Sequence, residues 1–237
     1  MFDHVGIHVS DLAASRAFYG EALGLPTSDG EFVEWGDFGI DEATDERPVS
    51  ERLHVAFGVE DRAAVDAWWL RLTDAGYESA GEPGPRPQYS ASYYGAFVLD
   101  PDGNSIEAVH HEHVRPGEIQ HLWFRTTNLV DARAFYALVA PVVGLEIRHD
   151  SPDRVQFSDG RGNFTFVPGD EPTRNVHLAF GVLDYPTVVR FHEVATAAGY
   201  ADNGPPGERP QYHPGYYGAF VFDADGHNVE AVFHDRR

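Results

Sequence analysis

The sequence is written twice. Shifted by 123 residues, the segment from His54 to His111 falls on His177 to His234 without a gap, with roughly half the positions identical. The best-matched part reads RPQYSASYYGAFVLDPDGNSIEAVHH from Arg86 and RPQYHPGYYGAFVFDADGHNVEAVFH from Arg209. Upstream the match continues at a shift of 117, where FDHVGIHVSDLAASRAFY (2–19) lies on IQHLWFRTTNLVDARAFY (119–136). The change of offset is absorbed in part at the helix ends Gly24-Leu25 and Gly144-Leu145. A chain with such a period folds as repeated copies of one supersecondary plan. We therefore expect two homologous units, 1–113 and 119–237, joined by a linker at 114–118 that contains Pro116-Gly117.

Within each unit the apolar spacing changes from period two to helical and back, twice. His4 to Val9 alternates as a strand, and Ser10-Asp11 caps an amphipathic helix reaching about Leu23. Short strands are expected near Phe32–Trp35 and Phe38–Ile40. A strand from Leu53 and a helix from Asp61 to Ala75, stopped by Gly76, follow. A Pro/Gly-rich loop then leads to a strand Tyr93–Leu99, the turn Asp100-Pro101-Asp102-Gly103 and a last strand Ser105–His110. Strand–helix–strands, four times per chain, places helices on one face of mixed, largely antiparallel sheets: the α+β class.

Composition removes several kinds of chemistry. The formal net charge is −21 and no basic run occurs, so neither a nucleic-acid backbone nor an anionic membrane is an expected partner. There are no lysines and no cysteines, which excludes Schiff-base and phosphate-loop lysines, thiolate nucleophiles and thiolate metal sites. MFDHVGIHVSD opens directly as a strand and no apolar run nears a membrane span, so a cytoplasmic location is expected. Expected partners are a small-molecule substrate and, at most, a second copy; the chain would be a monomeric pseudo-dimer or a homodimer.

Strand alternation then decides which side chains share a face. Val5, Ile7 and Val9 turn one way, His4, Gly6 and His8 the other. Likewise Leu53, Val55 and Phe57 oppose His54, Ala56 and Gly58, while Ile106 and Ala108 oppose Glu107 and Val109. The face away from the helices thus carries His4, His54 and Glu107, and in the second copy His121, His177 and Glu230. A lone strand histidine is ordinarily a packing residue, and a lone glutamate after a turn is ordinarily solvated. Three such residues at equivalent places in both copies read instead as ligands of a divalent metal, Fe, Mn, Ni or Zn. Three protein ligands leave positions for water or substrate oxygens.

These segments (DHVGIHVSDLAASRAFYGEALGL, HVAFGV and YYGAFVLDPDGNSIEAV) resemble the vicinal oxygen chelate superfamily, which includes glyoxalase I, bleomycin-resistance proteins, fosfomycin-modifying thiol transferases and extradiol dioxygenases. The resemblance runs over essentially the whole chain, twice. It implies glyoxalase-like units, each of two βαβββ modules forming cup-shaped mixed sheets. It also implies metal ligands at His4, His54, Glu107, His121, His177 and Glu230. The implied activity is a divalent-metal-dependent lyase or isomerase of the glyoxalase type, or a ring-cleaving dioxygenase, acting on a small oxygenated metabolite. The alternative is a metal-free, bleomycin-resistance-like protein that sequesters a small molecule.

The pattern departs from each named activity. Glyoxalase I adds a second glutamate from the last strand of its first module. FGIDEA offers Asp41 or Glu42 there, and NFTFVPG offers nothing. The tyrosine that extradiol and fosfomycin enzymes place three residues before the turn aspartate is Phe97 or Phe220 here. Candidates for the chemistry are Glu107, Glu230, His8 and His213; candidates for substrate binding are Tyr93, Tyr216, Arg86, Arg209, Trp123 and Arg125. Two pairings of ligands are open: His4/His54/Glu107 with His121/His177/Glu230, or the exchanged sets His4/His177/Glu230 and His121/His54/Glu107. The first is the favoured expectation.

Overall fold

The computed structural model describes residues 1–235. Each quarter of the chain is one βαβββ run. The first contains β1 (Phe2–Val9), α1 (Leu12–Leu23), β2 (Ser28–Asp29), β3 (Phe32–Trp35) and β4 (Phe38–Glu42). The second contains β5 (His54–Gly58), α2 (Arg62–Asp74), β6 (Ser79–Pro85), β7 (Tyr94–Leu99) and β8 (Ser105–His110). The third contains β9 (Ile119–Thr126), α3 (Leu129–Val139), β10 (Glu146–Ser151), β11 (Arg154–Ser158) and β12 (Asn163–Pro168). The fourth contains β13 (Val176–Gly181), α4 (Tyr185–Ala197), β14 (Asp202–Glu208), β15 (Tyr216–Phe222) and β16 (Asn228–His234).

Each helix begins where a short polar side chain can satisfy a backbone N–H that has no intrahelical partner. Asp11 accepts from Ala14 N at 2.9 Å, Asp61 from Ala64 N at 2.7 Å, Asn128 from Asp131 N at 3.3 Å and Asp184 from Thr187 N at 2.9 Å. The buried stripes, Phe18 and Tyr19 on α1 and Val65, Trp68 and Leu72 on α2, recur as Phe135 and Tyr136 on α3 and Val188 and Phe191 on α4.

The strands form two eight-stranded mixed sheets, ordered β14-β15-β16-β13-β1-β4-β3-β2 and β10-β11-β12-β9-β5-β8-β7-β6. This corrects the expected pairing. The first quarter shares a sheet with the fourth and the second with the third, so the exchanged ligand sets are the ones assembled. By compactness the chain divides into residues 6–123 and residues 1–5 with 124–237. A second correction concerns the Pro/Gly-rich stretch after α2, expected to be a loop. It is β6, an edge strand on β7 with register shifts between Ser79 and Gly81 and between Gly81 and Gly84. Proline is tolerated there because an edge strand has one row of N–H groups with no ladder partner.

The turn after β7 fixes the strand that carries Glu107. Asp100, buried, accepts from Asp102 N at 3.0 Å and Asn104 N at 2.7 Å, and from the Tyr19 hydroxyl of α1 at 2.8 Å. Asn104 then takes Leu53 N on its side-chain oxygen at 3.0 Å, which sets β8 beside β5. In the second copy Tyr136 donates to Asp223 at 2.9 Å, and His227 stands where Asn104 does, accepting from Val176 N at 3.3 Å.

Candidate metal centres

β5 lies between β8, parallel, and β9, antiparallel. The registers pair Ala56 with Glu107 on one side and with His121 on the other, while His54 pairs with Ser105 and Trp123. Ala56 is too small to fill the space between its two neighbours, so the Glu107 and His121 side chains converge above it with His54. His54 Nε2 is 3.1 Å from Glu107 Oε2 and 3.2 Å from His121 Nε2, and His121 Nε2 is 3.3 Å from the same carboxylate oxygen. In residues 1–5 with 124–237 the same plan recurs: Ala179 pairs with Glu230, and His177 with Asn228. There His4 Nε2 is 3.0 Å from His177 Nε2, His177 Nε2 is 3.1 Å from Glu230 Oε2, and His4 Nε2 is 3.8 Å from that oxygen.

Both carboxylates are buried, Glu107 at 1% and Glu230 at 0% exposure. Each hands its other oxygen to a tyrosine: Tyr93 donates to Glu107 Oε1 and Tyr216 to Glu230 Oε1, both at 2.7 Å. Room for that oxygen comes from a glycine on the neighbouring strand. A Cβ on Gly95 would stand 2.3 Å from Glu107 Oε1, and one on Gly218 2.5 Å from Glu230 Oε1. Burial raises the Glu107 pKa, but hydrogen bonds and attraction from His121 and His54 outweigh it and hold the carboxyl at about 2. Burial also pushes the His54 imidazole below its ordinary value, against the pull of Glu107. Burial, with the Glu107 charge and hydrogen bond next, drives the Tyr93 phenol upward, and Tyr216 follows for the same reasons beside Glu230. Both phenols are therefore fixed donors.

The outer nitrogens of the histidines are also held. Ser105 Oγ lies 3.0 Å from His54 Nδ1, the Asn228 amide 2.7 Å from His177 Nδ1, and Asp3 Oδ1 2.9 Å from His4 Nδ1. Burial raises the Asp3 pKa, but His4 and His234 bring it below its ordinary value. The sequence signals for these partners were the Asp-His pair at the start of β1 and the repeated glycine of YYGAF; neither stood out without the register.

The donor set fits a divalent ion. In each group the three facing atoms all lie within 4.8 Å of one another. Ligand bonds of about 2.1 Å meeting near right angles put neighbouring donors about 3.0 Å apart, which is the observed spacing between the imidazole nitrogens. Two N–H hydrogens cannot serve all three edges of such a triangle, whereas one cation meets all three lone pairs. Two imidazoles and one carboxylate with open positions is the facial arrangement used by non-haem iron and related divalent centres.

The remaining candidates are placed as follows. His8 is bonded to Asp41, which also takes Arg47, and Glu42 is exposed; none of them belongs to either group. His213 lies in the second copy, with Nε2 2.9 Å from His234 Nδ1 and its ring 5.3 Å from that of Tyr216. Arg86 bonds the Glu82 carbonyl at 2.8 Å and lies over the Phe97 ring, as Arg209 bonds the Pro205 carbonyl at 2.7 Å and lies over Phe220. Trp123 stands 6.4 Å from the half-exposed Tyr89, which packs at 5.0 Å on Tyr93. Arg125 is exposed, its side chain against Gly169. No helix among the described residues is long and apolar enough to cross a membrane.

Comparison with known proteins agrees with this architecture. Residues 1–108 match the model of the Glyoxalase/Bleomycin resistance protein/Dioxygenase superfamily. Among solved structures, glyoxalase I from Zea mays superposes with a TM-score of 0.70 at 21% identity, covering 98% of this chain and 92% of that one. A candidate dioxygenase from Bacillus subtilis superposes with a TM-score of 0.67 at 14% identity, covering 99% of this chain and 85% of that one. At these identities the likeness speaks for the fold. No curated protein matches the sequence.

Proposed function

We propose that this chain, whose residues 1–108 match the model of the Glyoxalase/Bleomycin resistance protein/Dioxygenase superfamily, is a divalent-metal-dependent enzyme acting on a small compound with two neighbouring oxygens. The observation that carries this reading is the convergence, in both groups, of two Nε2 atoms and a buried carboxylate oxygen. His54, His121 and Glu107 would hold one ion; His4, His177 and Glu230 would hold the other. A bound divalent ion supplies a Lewis acid that polarises substrate oxygens and stabilises negative charge developing on them.

The chain's own groups have separate tasks. Tyr93 and Tyr216 fix the rotation of each carboxylate, so that Oε2 faces the histidines. Glu107 stays ionised throughout the neutral range, so that Oε2 keeps a negatively charged lone pair for the ion. Tyr89 and Trp123 give that centre flat apolar surface against which a substrate ring or chain can lie. In the other centre the pair His213 and His234, both in ring contact with Tyr216, is the nearby imidazole system for moving a proton.

The test is metal analysis of the purified protein, followed by turnover of α-hydroxycarbonyl compounds and catechols by the reconstituted chain. Two divalent ions per chain, and turnover abolished by combining E107Q with E230Q, are expected. Protein free of divalent ion, with a melting temperature indifferent to chelator, sinks the proposal in favour of a metal-free binding protein.

A further inference from the structure

We propose that the two centres are unequal, and that Asp3 is a positioning residue that makes the His4–His177–Glu230 centre the tighter binder of a divalent ion. This rests on the metal reading above.

The two centres agree at the converging donors and differ one layer further out. Asp3 accepts from His4 Nδ1 at 2.9 Å. That bond fixes the tautomer in which the Nε2 lone pair points at His177 and Glu230, and it places a full negative charge behind the ligand. A carboxylate so placed raises the basicity of an imidazole ligand. Asp3 is itself held: its other oxygen is 2.9 Å from His234 Nε2, and His234 Nδ1 is 2.9 Å from His213 Nε2. The chain therefore runs from a ligand, through an acid, to two further imidazoles.

The repeat places Gln120, His111 and Ser90 where Asp3, His234 and His213 stand. Gln120 carries no charge, and its amide is committed to the connecting segment: it donates to the Arg115 carbonyl at 2.9 Å and the Glu118 carbonyl at 3.1 Å, and accepts from Arg115 N at 3.2 Å. The space beside the strand end has also been taken. A Cβ on Gly181 would meet Asp3 Oδ2 at 3.3 Å, whereas one on the equivalent Gly58 would meet the Arg115 carbonyl oxygen at 2.3 Å and Val114 at 2.8 Å. The segment joining the copies fills the position where the acid sits in the other centre. His111 instead lies with its ring 6.1 Å from Tyr93, stacked.

The experiment is a titration of the metal-stripped full chain with Co2+, read by visible absorption against a chromophoric chelator. Two phases about 10–100-fold apart in dissociation constant are expected, with E230Q removing the tighter and E107Q the weaker. D3N should carry the tight phase to the affinity of the weak one with the apo melting temperature unchanged, and D3E should restore part of the gap. Should D3N fail to fold, H234Q, which frees one Asp3 oxygen, should weaken the same phase by a smaller factor. Two indistinguishable phases in the parent, a tight phase that disappears with E107Q, or a gap untouched by D3N and H234Q would each overturn the inference while leaving metal binding intact. No Co2+ bound at either centre would overturn the metal reading together with it.

Discussion

His4 and His177 lie 173 positions apart in sequence, and their Nε2 atoms are 3.0 Å apart. One belongs to the first βαβββ run and the other to the last, so the centre they share exists only because β1 and β13 are neighbours in one sheet. The same exchange joins His54 to His121 across the β5–β9 ladder.

Double substitutions read this pairing directly. H4A and H177A strike one centre, so their combination should leave one divalent ion per chain. H4A with H54A strikes both and should leave none. Metal content by mass spectrometry after dialysis checks the pair, and the opposite pattern would restore pairing within each copy.

Removing a tyrosine hydroxyl should loosen its centre without emptying it. Y93F leaves Glu107 Oε1 buried with no phenol donor, and the carboxylate then rotates more freely. Losing such an outer partner costs about 10–100-fold in metal affinity. Chelator competition should show that loss in one phase for Y93F and in the other for Y216F.

Gly95 and Gly218 should resist enlargement. An alanine Cβ at 95 would stand 2.3 Å from Glu107 Oε1, and overpacking of this kind costs about 1–3 kcal/mol. G95A should therefore lower the urea midpoint and abolish metal binding by the His54 centre alone. Unchanged affinity in both phases would show that the carboxylate can move aside.

A pH-dependent term comes from Asp37. Burial raises its pKa to about 6, although Ile119 N–H, 3.1 Å from Oδ2, favours the ionised form. The folded state therefore binds this proton more tightly than the unfolded chain, whose value is the ordinary 3.8. The sign follows: this residue's contribution is most favourable below about pH 4, declines as pH rises towards 6, and is flat above. D37N keeps an acceptor for Ile119 without the charge, and should exceed the parent in stability by about 1–3 kcal/mol at pH 7.5, the two converging near pH 4. Urea unfolding at the two pH values decides it, and a constant offset would show that Asp37 does not titrate in this range.

Much of this protein is local and was therefore legible in the chain. The caps Asp11 and Asp61, the helix stripes and the faces of β1, β5 and β8 follow from spacing alone, because period two and period 3.6 decide where a side chain points. So His4, His54 and Glu107, and their copies, could be read as facing one way before any contact was known. Which triplet meets could not be read. A repeat gives every strand two chemically equivalent partners, and alternation says which face a residue takes but not which strand lies beside it. β6 was missed for a related reason: its prolines and glycines signal a loop, and only the neighbouring β7 supplies the ladder that makes it a strand. The sequence by itself determined the modules and the donors each one offers. Strand order, set by burial of complementary sheet edges between distant segments, decided how those donors combine and which centre has an acid behind its histidine.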